Sequence, residues 1–135
     1  MSMPPLAEVP VRSSLALTRR WVALLGPLSF DRRTLWLTWF DPDGRQSPAV
    51  VPIEDVPHQP DDRFLRGLLA LADGRQGDDG LLALALGRPG EAVATDDDSA
   101  WVRGLHEVLG DDGWSLHLAA GGRVETLVEP GPTSR

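Results

Sequence analysis

At 135 residues the chain has the size of one domain, able to bury about two thirds of the surface its unfolded form would expose without help from a disulfide or a metal. It contains no cysteine, lysine, tyrosine or asparagine, and all thirteen basic residues are arginines, which excludes thiolate nucleophiles, thiolate zinc sites, Schiff-base lysines and phosphate loops ending in Gly-Lys-Ser/Thr. The formal net charge of −7 argues against sequence-independent nucleic-acid binding, whose affinity comes from cations placed at phosphates.

Residues 1–12, with Pro4, Pro5 and Pro10, read as an extended N-terminal arm. They lack the basic start and apolar run of a signal peptide, and the apolar run Leu81 to Leu86 is far short of the ~20 residues that span a bilayer. The expectation is a cytoplasmic protein, with the arginine-for-lysine usage of a high-GC bacterial genome. From Ser13 or Ser14 as N-cap, Leu15, Leu17, Trp21, Val22, Leu24, Leu25 and Leu28 mark the buried side of a helix that stops at Gly26-Pro27. Arg19 and Arg20 then fall largely on its open face.

Thr34 to Phe40 is rich in aromatic and branched residues and runs through Asp41-Pro42-Asp43-Gly44 into a second extended run, Ala49 to Ile53, which predicts a hairpin. Leu35, Leu37 and Trp39 point one way and Trp36 and Phe40 the other, so the first strand is interior. A second helix fits Asp61 to Asp73, with Phe64, Leu65, Leu68, Leu69 and Ala72 inward and Gly74 as its stop. After the polar loop Gln76 to Gly80, the alternating leucines and alanines of Leu81 to Leu86 predict a strand with one bulky face and one face open to close helix approach. A third helix spans about Asp96 to Leu109, closed by Gly110. Trp114 to Leu118 and Arg123 to Val128, joined at Gly121-Gly122, form the last hairpin. The expected fold is therefore one α/β (α+β mixed) domain over residues 13–128, with helices flanking a central mixed sheet in the order α-β-β-α-β-α-β-β. Residues 129–135 form a loose tail.

The loop Leu86-Gly87-Arg88-Pro89-Gly90 and the following Thr95-Asp96-Asp97-Asp98 carry the most information. An apolar strand, Pro89 and a Thr95-x-x-Asp98 pair in this order resemble the JAB/MPN metalloprotease-like fold in the version carried by bacterial RadC proteins. That family places His-x-His-Pro at the end of an apolar strand and Ser-x-x-Asp at the start of a helix, and the two histidines and the aspartate hold a catalytic zinc. The order of elements agrees from about Thr34 to Val128. Here Leu86 and Arg88 stand at the histidine positions, and the spacing from Pro89 to Thr95 is about one residue short. Leucine has no donor atom and arginine no acceptor lone pair, so neither binds zinc. The resemblance implies a degenerate member without its metal site, and it offers Glu54 as counterpart of the family's upstream catalytic glutamate.

Thr95-x-x-Asp98 has a local explanation as a capping box, and Asp96-Asp97-Asp98 suits a positive helix start better than it surrounds a cation. His58, His106 and His117 lie apart in the sequence, outside any His-x-His or His-Glu-x-x-His pattern, and read as surface or second-layer residues. No Gly-x-Ser-x-Gly elbow supports a serine triad. Of the five tryptophans, Trp21, Trp36, Trp101 and Trp114 fit inward positions and Trp39 lies beside Phe40 near the turn; any left exposed would suit a protein interface.

Two readings of function follow. The leading one is a non-catalytic, JAB/MPN-like domain with no cofactor and no metal, acting through protein contacts with a partner or with a second copy of itself. The competing one is a small-molecule or anion-binding protein, or a hydrolase, that uses the loop after Leu81 to Leu86, with Arg88, Thr95 and Asp98 as its binding residues.

Overall fold

Leucine and alanine alternate along β3 (Leu81–Gly87), and this alternation sets the layering of the molecule. The structure is a computed structural model that describes residues 14–25, 33–41, 45–73, 81–110 and 113–129. The N-terminal arm, the stop at Gly26-Pro27, Leu28, the turn residues 42–44, Gly74, the loop 76–80, Asp111-Asp112 and residues 130–135 of the tail lie outside them. The remaining elements are α1 (Ser14–Leu25), β1 (Thr34–Phe40), β2 (Gln46–Glu54), α2 (Asp62–Asp73), α3 (Asp96–Leu109), β4 (Trp114–Ala120) and β5 (Arg123–Val128). Their order is the expected one. They build a single α+β domain around a mixed sheet in the order β2-β1-β3-β4-β5, in which only β3 and β4 run parallel. β1 is interior, as its two covered faces predict.

On one face, Leu82, Leu84 and Leu86 join Leu35, Leu37, Trp39, Trp114 and Leu116 against Leu65 and Leu68 of α2 and Trp101 and Leu105 of α3. Each fully buried leucine here contributes on the order of 1.5–3 kcal/mol. Phe64 meets Trp101 edge to face at 5.4 Å, which ties the two helices together. They approach closely at Gly104, where a Cβ would stand 3.0 Å from Leu65 Cδ1 and 3.1 Å from Pro60 Cγ.

The opposite face is built from smaller residues. Ala83, Ala85 and Ala119 let α1 come down onto the sheet with Leu17, Trp21 and Leu25 as its seam, beside Phe40. Two expectations for α1 are corrected. Val22 is 46% exposed, whereas Arg20 is buried, donating to Gln46 Oε1 and lying 5.7 Å over the Phe40 ring. Gln46 in turn donates to Thr38 Oγ1 at 3.0 Å. A single helix on a five-stranded sheet presents more than its central seam to the strands, so the flanking Arg20 is covered as well.

β2 begins at Gln46 rather than Ala49, because an irregularity between Thr38 and Phe40 restores pairing at Phe40 and Gln46. β4 and β5 turn through Gly121 and Gly122 at φ 57° and 76°, the left-handed pair that a tight two-residue hairpin requires.

Candidate functional site

The site lies where β3 delivers the chain to Arg88. Backbone pairing continues one step past the strand, as Arg88 N donates to Ala119 O at 3.1 Å. The guanidinium then folds inward. Nε donates to Asp98 Oδ1 at 3.0 Å and Nη2 to Asp98 Oδ2 at 2.7 Å, while Nη1 reaches Pro89 O and Nη2 reaches Val93 O, both at 2.9 Å. Both partners are shut from solvent, with side chains 5% and 0% exposed. One arginine therefore closes its own loop against the start of α3.

Asp98 also completes the capping box of α3. Thr95 N donates to Oδ2 at 2.9 Å, and Asp98 N donates to Thr95 Oγ1 at 3.2 Å. The carboxylate thus accepts three hydrogen bonds, a number that satisfies it in a dry setting. Burial alone would raise its pKa, but the Arg88 hydrogen bonds, the Thr95 N–H and the Arg88 charge outweigh burial and hold it below the ordinary value.

Glycines make this closure possible. Gly90 has φ +98°, and a Cβ there would meet Arg88 Nη1 at 3.2 Å. Gly121, in the β4–β5 turn, would press a Cβ onto Gly90 O at 3.2 Å. The loop is held from inside by a side chain and from outside by a hairpin turn.

A second polar group lies alongside. Asp97 accepts from Gln59 Nε2 at 2.9 Å and contacts His58 Nδ1 at 3.3 Å and Arg33 Nη2 at 3.7 Å. These hydrogen bonds and charges, with Gln59 first, lower its pKa against the opposing effect of desolvation. Trp101 Nε1 donates to His58 O at 3.1 Å, and Val56 N donates to Arg33 O at 3.1 Å, so the loop after β2 is tied to both α3 and β1. Asp55, at φ 56°, takes the left-handed turn that starts this loop.

The structure brings Arg88, Thr95 and Asp98 together as one cluster. Glu54 stands in the same row of the sheet as Gly87, with Thr34 between them, which places the two about 10 Å apart at the backbone. Glu54 is exposed, whereas Arg88 and Asp98 are buried. Leu86 is fully buried in the core under α2 and α3. The residues at the end of β3 do not fit zinc: the core side chain of Leu86 has no donor atom, and the Arg88 guanidinium has no acceptor lone pair. Among the described residues, no three His, Asp or Glu side chains group closely enough to hold an ion.

His58 and His106 lie at or near the surface, the latter edge-on to Trp114 at 5.0 Å. His117 departs from the surface or second-layer expectation. It is fully buried under α1, with Nε2 3.0 Å from Thr18 Oγ1, and burial pushes its pKa down from 6.5 to about 4. The signal was its place in the Trp114 to Ala120 strand, where every residue is buried.

The fold and site define a single α+β domain whose loop after β3 is closed by an internal ion pair. No family model matches the chain, and neither a curated protein nor a solved structure matches it. Among the described residues no helix is long and apolar enough to cross a membrane.

Proposed function

We propose that this chain is a non-catalytic domain of JAB/MPN-like layout that works through protein contacts, including contacts with a second copy of itself. The observation that carries this reading is the commitment of Arg88: its guanidinium is bound by Asp98 and by the carbonyls of Pro89 and Val93. A permanent cation therefore sits beside the one aspartate that the resemblance would assign to a metal, and the loop's polar groups are spent on one another. Sedimentation velocity across a hundredfold range of concentration tests the self-association. A mass that rises to twice that of one chain is expected, and a single-chain mass throughout would contradict it.

The anion-binding or hydrolytic reading has one observation in its favour, the position of the loop at the carboxyl ends of the parallel pair β3 and β4. For an anion to bind at Arg88, it would have to displace Asp98. Titration with inorganic phosphate separates the readings: binding lost in Arg88→Ala favours the ligand site, and absence of binding by the native chain favours the closed scaffold.

A further inference from the structure

Buried polar atoms without a protein partner gather beneath α1. Trp21 Nε1, Trp36 Nε1, Ser115 Oγ and His117 Nδ1 are each shut from solvent and meet no hydrogen-bonding group among the described residues. Across the sheet, Trp101 Nε1 and Trp114 Nε1 donate to the carbonyls of His58 and Gly110. Native interiors leave few such atoms unpaired, and these call for a partner that the described residues do not supply.

Strand register shows how they are arranged. Thr38, Ala83 and Ser115 form one row across β1, β3 and β4, and Trp36, Ala85 and His117 form the next row but one. Both rows carry an alanine at the centre, so the polar groups border a floor of small side chains. Thr18 covers His117, and Trp21, one turn further along α1, packs in the same cluster as Ala83 and Ala85. Ser115 and His117 rise from the same face of β4 about 7 Å apart at the backbone, a span that one bridging molecule closes. The ligand that fits is small, and it both donates and accepts.

We propose that an ordered water bridges Ser115 Oγ and His117 Nδ1 beneath α1, as a built hydration site of the fold. In the tautomer whose Nε2–H donates to Thr18 Oγ1, His117 keeps Nδ1 as an acceptor on the neutral ring that burial favours. The water donates to Nδ1 and accepts from the Ser115 hydroxyl. Buried waters typically join otherwise unsatisfied polar groups, and Ser115 Oγ and His117 Nδ1 are two such groups.

Two measurements on the full chain test this together. A crystal structure at better than about 1.5 Å resolution should show one water within hydrogen-bonding distance of both atoms. Ser115→Ala should lower Tm by about 3–5 °C, since it removes one anchor of the bridge. A dry site, density larger than a water, or a Tm unchanged or raised by removal of a lone buried hydroxyl would overturn the assignment.

Discussion

The two faces of the sheet solve the same burial problem with different chemistry. Under α2 and α3, leucines and tryptophans interlock, and the N–H groups of Trp101 and Trp114 are passed to carbonyls at the edges. Under α1, alanines carry the floor, and Arg20, Gln46, Thr38, Thr18, Ser115 and His117 bring polarity into the interior. The first face derives its stability from apolar area, which pH barely touches. The second depends on hydrogen bonds and on keeping a buried imidazole neutral, so its stability is conditional.

The largest effect should come from the dry face. Trp101→Ala removes a buried ring that packs on Phe64 and holds the loop at His58, and it should cost about 3–5 kcal/mol in urea unfolding. A cost below about 1 kcal/mol would mean that this face is not the main source of stability.

The ion pair at the end of that face comes next. Asp98→Ala leaves the Arg88 guanidinium buried without its counter-charge and should cost about 3–5 kcal/mol, whereas replacement of both partners, Arg88→Met with Asp98→Leu, should recover much of the loss. Equal costs for the single and double variants would show that the loop needs these hydrogen bonds rather than charge balance.

Acid should separate the faces. The folded-state pKa of His117, about 4, lies below its ordinary 6.5, so the unfolded chain binds the extra proton between these values and stability falls as pH drops through that window. The expected loss from pH 7 to pH 4 is about 3 kcal/mol, flattening below pH 4, and it should vanish in His117→Leu. Asp98 acts in a lower window: its pKa is lowered, so its contribution is present above the ordinary carboxylate value and is lost as pH falls from that value through the depressed folded one. Urea midpoints measured at several pH values in both proteins check the order of these losses.

The smallest effect is local. Thr95→Ala removes the hydroxyl that caps α3 but leaves Thr95's N–H bond to Asp98 available from the backbone, so it should cost about 1 kcal/mol in thermal unfolding. A cost near that of Asp98→Ala would make the cap, and not the ion pair, the lock on the loop.

Much of the architecture was legible because it is written in local patterns. The Leu-Ala alternation of β3 fixed which face takes bulk, Gly110 and Gly121-Gly122 marked the stops and turns, and Thr95 with Asp98 announced a helix start. What escaped were pairings set by register across distant segments. Arg20 looks solvent-facing on a helical wheel until Gln46 and Thr38 are brought beneath it by the β1–β2 pairing. The link between Arg88 and Asp98 likewise depends on how tightly the loop of residues 88–95 folds back, which no periodicity reports. Its only trace was two opposite charges at either end of a glycine- and proline-containing turn.

The central claim is that the loop after β3 is closed by Arg88 and Asp98 and has no place for a metal. Calorimetric titration of zinc into chelator-free protein tests it most directly. The expected result is no saturable binding at micromolar zinc, for the native chain and for Asp98→Ala alike. Stoichiometric binding by the native chain that disappears in Asp98→Ala would contradict the claim and make this loop a metal site.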